Sequence, residues 1–95
     1  ATLSGKYTGK LMVPGRKGST IKVALKKNKA SGSARIGNVT IKLSGKFKDG
    51  KGKLTGKVGN SSINCPTTAK HDRLMGKCAG KFKGAPFKNA RFTAR

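Results

Sequence analysis

The chain has 95 residues, of which 23 are Lys or Arg and two are Asp or Glu, so its formal net charge is +21. This length predicts one domain, residues 1–95, with a thin hydrophobic core. No apolar stretch approaches the roughly 20 residues of a membrane-spanning helix, so we expect no transmembrane helix. Regular alternation of apolar and charged residues favours a folded domain over a disordered basic tail.

The first half of the chain alternates with a period of two, which is typical of β-strands. Residues 3–13 predict a first strand, residues 14–18 a turn and residues 21–26 a second strand. Residues 28–32 have the composition of a polar loop. The clearest alternation covers residues 39–58, where Asp49-Gly50, a favoured hairpin pair, separates two further strands.

The second half of the chain is less regular. Residues 59–62 predict a loop, and Cys65 to Thr68 predicts the start of a short helical turn with Thr67 or Thr68 as N-cap. Alternation resumes over residues 76–83, and Pro86 interrupts it. Residues 87–94 predict a last strand at the edge of the sheet, with Phe92 facing inward.

No segment shows a sustained helical period, and Glu is absent from the chain. The sequence therefore predicts an all-β fold. We expect a small antiparallel meander of about five or six strands, closed or half-closed as a barrel or sandwich, with one disulfide-pinned loop.

The two cysteines, Cys65 and Cys78, predict a disulfide that closes a loop of 14 residues and stabilises the fold by about 3 kcal/mol. A disulfide points to an oxidising compartment. The start at Ala1, without an apolar leader, is consistent with a processed, secreted or periplasmic protein. Two reduced cysteines in a cytosolic protein are the alternative. With one His in the chain, a zinc site lacks ligands.

The pattern Gly-Lys-x-x-Gly-Lys occurs three times, at residues 5–10, 52–57 and 76–81. In a strand, its glycines and the apolar third residue share one face, and its lysines share the other. Inward glycines allow a short sheet to bend sharply around a small core. Outward lysines build a regular cationic surface. A phosphate-binding loop needs its lysine at a helix start, so the repeat is not such a loop.

Lysine-covered strands predict non-specific binding to polyanions: nucleic acid backbone, acidic polysaccharide or anionic cell-envelope components. Along one strand, Lys46 with Lys48, Lys81 with Lys83, and Lys22 with Lys26 would form rows of cations. Tyr7, Phe47 and Phe82 are expected in the core, whereas Phe87 and Phe92 are the better candidates for exposure. The lysines expected to carry binding are Lys6, Lys10, Lys42, Lys46, Lys48, Lys53, Lys57, Lys77, Lys81 and Lys83.

Catalysis has few candidate residues: His71, Asp49 and Asp72. Asp49 is explained by the hairpin turn, and His71 with Asp72 by a solvated loop, so we expect no enzyme, no cofactor, no metal and no small-molecule substrate. Two alternatives share the charge. One is an antimicrobial or membrane-active toxin that disrupts anionic membrane surfaces. The other is a cytosolic ribosomal or chromatin-type structural protein, which would keep free thiols.

Overall fold

Eight β-strands form a closed barrel in which each strand pairs antiparallel with its neighbours in sequence, and β8 returns to pair with β1. The structure is a computed structural model that describes residues 5–15, 17–70 and 72–95. The strands are β1 (Gly5–Met12), β2 (Thr20–Lys26), β3 (Lys29–Ile36), β4 (Val39–Lys48), β5 (Lys51–Val58), β6 (Ser61–Lys70), β7 (Arg73–Phe82) and β8 (Ala85–Ala94). The predicted all-β antiparallel meander is confirmed, with eight strands instead of five or six.

The first additional strand is β3, which occupies part of the segment predicted as a polar loop. Only Lys27 and Asn28 form the turn, and both have positive φ, as the two central residues of a type I′ hairpin turn require. Ala30, Ala34 and Ile36 then face the interior and are buried. Small inward residues give a weak alternation signal, which is why the sequence did not reveal this strand.

The second additional strand is β6, which replaces the predicted loop and helical turn. Its inward side chains are Ser61, Ile63, Cys65 and Thr67, all buried. Two of the four are polar, so the apolar alternation was hidden. The predicted N-cap Thr67 instead lies inside the barrel, where its hydroxyl donates a 2.9 Å hydrogen bond to the carbonyl of Cys65. That bond satisfies the buried hydroxyl within its own strand.

The last strand is not an edge strand. β8 pairs with β7 along one side and with β1 along the other. Pro86 does not interrupt it, since it lies near the start of the strand, opposite Lys81. Closure leaves the meander without an open edge on which another chain could add a strand.

The core fills the barrel with one residue in two from each strand. Leu11, Ile21, Ile41, Leu54 and Leu74 are among its fully buried side chains. The predicted core residues Phe47 and Phe82 are buried, and Tyr7 packs partly buried against the core. The predicted exposure of Phe87 and Phe92 was wrong. Phe92 is 3% exposed, which confirms the inward direction predicted for it within the last strand, and Phe87 packs half-buried against the core.

Five of the six glycines of the repeat, all except Gly5, face inward as predicted at positions where two strands approach closely. A Cβ built on Gly9 or Gly80, or on Gly45 outside the repeat, would lie within 3.0 Å of a backbone carbonyl oxygen of the adjacent strand. The neighbouring strand occupies the place of a side chain at each of these points. The structural interpretation of the repeat is therefore confirmed: its glycines let the sheet curl into a narrow barrel.

Gly45→Ala should lower the free energy of unfolding by about 2–3 kcal/mol, because the new methyl group meets the Lys53 carbonyl and the backbone of β5 must move. Ser44→Ala, the outward neighbour in the same strand, serves as the control and should change stability by less than about 0.5 kcal/mol. Urea denaturation of both variants measures the difference. Equal stability of the two variants would contradict the close approach of the strands at Gly45.

The disulfide between Cys65 and Cys78 is present, and both cysteines are buried in the barrel. They lie opposite each other on β6 and β7 with their Cα atoms 4.1 Å apart. The loop that they close is the β6–β7 hairpin, so the pinned segment consists mostly of strand. The next residue, Pro66, has no N–H to donate across to β7. The covalent bond thus joins the two strands between the Asn64–Ala79 and Thr67–Gly76 pairs.

Candidate functional site

The ten predicted lysines are all exposed. Nine of them lie on the outward faces of β1, β4, β5 and β7. Lys83 is the exception, because it lies in the turn after β7 with φ of 51°. Its backbone N–H donates a 2.9 Å hydrogen bond to Ser61, and its Nζ is 5.5 Å from the centre of the Phe82 ring. The expected strand row of Lys81 with Lys83 was therefore wrong.

Neighbouring strands bring lysines together in a second direction, across the sheet. Lys26 on β2 is opposite Lys29 on β3, Lys29 is opposite Lys46 on β4, and Lys46 is opposite Lys53 on β5. Pro66 continues this line on β6. On β7 and β8, Lys77 and Arg91 form the next opposite pair. We call these six basic residues the cationic belt: Lys26, Lys29, Lys46, Lys53, Lys77 and Arg91.

The belt places like charges at the shortest spacing that a sheet allows. Directly opposite residues have Cβ atoms about 4.5–5.5 Å apart, and like charges in such pairs destabilise the sheet. Salt weakens but does not remove this repulsion, since the spacing is below the Debye length of about 8 Å at physiological ionic strength. With two carboxylates in the whole chain, protein side chains cannot neutralise the belt. We therefore expect the belt to lower the stability of the fold.

Sequence reasoning found three belt members, Lys46, Lys53 and Lys77, and missed Lys26, Lys29 and Arg91 as site residues. Lys29 was assigned to a loop, and Lys26 was treated only as part of a row along β2. The belt runs perpendicular to the strands, so it depends on the register between strands. The Lys27-Asn28 turn was the one local signal that would have paired Lys26 with Lys29.

The two catalytic candidates that the structure describes lie in exposed turns. Asp49 is the exposed first residue of the β4–β5 turn, with φ of 54°. Asp72 is exposed at the β6–β7 turn, and His71 lies outside the described residues. Within those residues, no group of three or more His, Cys, Asp or Glu side chains is placed to hold a metal ion. The absence of enzyme activity stays a prediction.

Comparison of the chain with protein-family models and with curated proteins finds no match to either. In the part of the chain that the structure describes, no helix is long and apolar enough to cross a membrane.

Proposed function

We propose that this protein is an exported, non-enzymatic binding protein that attaches to polyanions through its lysine-covered barrel. The observation that carries the proposal is the cationic belt, in which cations stand directly opposite one another across neighbouring strands. A bound polyanion would place its charges between these cations and remove their repulsion. The same contacts release the counterions condensed on the polyanion, which drives binding at low salt.

The disulfide supports the exported location. Disulfides persist in secreted and periplasmic proteins, and small domains with thin cores depend on them. A cytosolic ribosomal or chromatin-type role would require Cys65 and Cys78 as thiols. An intact mass two hydrogens below that of the reduced chain, measured on native material, supports export. Free thiols would contradict it.

A binding panel at two salt concentrations tests the proposal. Heparin, double-stranded DNA, single-stranded RNA and anionic vesicles are compared at 50 mM and 200 mM salt. If six cations are neutralised, the logarithm of the binding constant should fall with the logarithm of the salt concentration with a slope of about −4 to −5. Binding that is independent of salt would contradict the proposal.

The same panel separates the membrane-active alternative. The large apolar side chains exposed in the described residues are Met12, Val58 and Met75, which offer little surface for insertion. We therefore expect attachment to anionic vesicles without release of an enclosed dye. Dye release from anionic but not neutral vesicles would identify a membrane-active protein instead.

A further inference from the structure

Lysines also bracket single outward residues along five strands, with one lysine two positions before and one two positions after. On β2 the pair Lys22 and Lys26 brackets Ala24, and on β4 the pair Lys42 and Lys46 brackets Ser44. The other three brackets belong to the Gly-Lys-x-x-Gly-Lys repeat. They are Lys6 and Lys10 around Thr8 on β1, Lys53 and Lys57 around Thr55 on β5, and Lys77 and Lys81 around Ala79 on β7.

Four of these five residues lie on one continuous line across the barrel, with Ser31 and Asn64 between them, whereas Thr8 is opposite Lys22 and lies off the line. Ala24 is opposite Ser31, Ser31 is opposite Ser44, and Ser44 is opposite Thr55. The line continues to Asn64 on β6 and to Ala79 on β7. We call these six residues the neutral row: Ala24, Ser31, Ser44, Thr55, Asn64 and Ala79. The repeat thus gives glycines to the interior and, on β5 and β7, a lysine on each side of the neutral row.

The geometry describes a path for one extended polymer chain. Five strand spacings of about 4.8 Å make the neutral row about 24 Å long. The lysines on its two sides are about 13 Å apart at the backbone, two strand positions of about 3.3 Å from the row in each direction. Their long side chains reach toward the row from both sides. The hydroxyl groups of Ser31, Ser44 and Thr55 and the amide of Asn64 line its floor as hydrogen-bonding groups.

The features of this path favour one class of polyanion. Bases of single-stranded nucleic acid need aromatic platforms. Among the described residues, Phe47, Phe82 and Phe92 are buried, and Tyr7 and Phe87 pack against the core. Duplex DNA is stiff over about 50 nm, so it would meet the convex barrel over a short contact only. A flexible chain of acidic sugars follows the curve and offers hydroxyl groups to the polar floor.

We propose that the neutral row binds a linear acidic polysaccharide that lies across the strands, with its sulfate or carboxylate groups held by the bracketing lysines. This inference rests on the proposed function and adds the polymer class, the path and the direction of the bound chain. It differs from the rows along single strands that the sequence predicts.

Two substitutions of equal chemistry test the path. Thr55→Glu places a carboxylate between Lys53 and Lys57 on the neutral row. Thr93→Glu places one between Arg91 and Arg95 on β8, beside a groove that Met12 and Met75 also line. Both replace an exposed threonine that has a cation two residues away on either side. With size-defined heparin oligosaccharides, Thr55→Glu should weaken binding at least about 25-fold, because both flanking lysines hold the polymer. Thr93→Glu should weaken it less than about tenfold, because only one of its flanking cations, Arg91, belongs to the belt.

The two outcomes separate the path from the proposed function. Equal weakening by both substitutions, with salt-dependent binding intact in the wild type, would overturn the path and leave polyanion binding standing. A larger effect of Thr93→Glu would move the site to the β8 groove and overturn the path as well. No binding by the wild type would overturn both proposals.

The polymer class is tested by the part of binding that does not depend on charge. The probes are heparin oligosaccharides and oligothymidylates with equal numbers of charges, and affinities are extrapolated to 1 M salt, where counterion release contributes little. We expect residual affinity for the oligosaccharide only. Thr55→Val, which removes the hydroxyl, should lower it about fivefold without changing the salt slope. Residual affinity of the oligothymidylate equal to or above that of the oligosaccharide would overturn the assignment to polysaccharide.

Discussion

Replacement of Lys29, Lys46 and Lys53 by glutamine should weaken polyanion binding about 100- to 500-fold at 0.1 M salt. Each lost cation–anion contact removes about 0.7–0.9 logarithmic units at that salt concentration. The same triple variant should melt roughly 3–8 °C higher than the wild type, because three like-charge pairs across the strands disappear. Weaker binding together with higher stability distinguishes a functional surface from a structural one. The measurements are affinity for heparin and thermal unfolding monitored by circular dichroism.

The matched control replaces Lys17, Lys70 and Lys88 by glutamine. Both triple variants fall from +21 to a net charge of +18. The control lysines are exposed but lie outside the belt, and only Lys70 has a basic residue opposite it, Arg73. We expect the control to lose less than about tenfold in affinity. Its melting temperature should rise less than that of the belt variant. A belt variant less stable than the wild type would contradict the repulsion that we assign to the belt.

Removal of the disulfide should produce the second large effect. Reduction of the wild type, or the double substitution Cys65→Ala with Cys78→Ala, should lower the free energy of unfolding by about 3 kcal/mol. The chain between the cysteines is short, but the bond joins β6 to β7 beside Pro66, a residue that has no N–H to donate. The net charge of +21 opposes folding through self-repulsion, so a loss of about 3 kcal/mol should be a large part of the total stability. Guanidinium denaturation with and without reductant measures the loss.

Hydrogen exchange locates this effect. Amides of β6 and β7 should lose protection first in the reduced protein, while those of β2 and β3 on the opposite side of the barrel retain it. The double alanine variant is the control for incomplete reduction. If reduced and oxidised protein unfold at the same guanidinium concentration, the disulfide does not hold the hairpin, and the assigned role of the bond is wrong.

The fold class could be predicted because alternation is a local property of the chain. Residues 39–58 show it clearly, and the structure forms β4 and β5 there. Strands β3 and β6 were not predicted, because many of their inward positions carry Ala, Ser, Thr or Cys. These residues give little contrast in hydrophobicity with their outward neighbours. The inward direction of most glycines of the repeat could be predicted from alternation within their own strands, but the partner-strand carbonyls that exclude a Cβ there appear only in the structure.

The arrangement of lysines on the surface could be predicted only in part, for a different reason. The outward direction of each lysine follows from its own strand, and nine of the ten predicted lysines lie on outward strand faces. Which lysines oppose one another depends on turn lengths and on closure of the barrel. Lys29 and Lys46 are separated by a complete hairpin in sequence but are directly opposite in space. The belt can therefore be identified only when the register between neighbouring strands is known.

The central claim is that binding depends on the positions of the belt cations and not on net charge alone. The most direct measurement is the salt dependence of heparin affinity for the wild type and for the two triple variants of equal charge. We predict a slope of about −4 to −5 for the wild type, a decrease in magnitude of about 2–3 for the belt variant, and a change below about 1 for the control. Equal slopes for the belt variant and the control would contradict the claim.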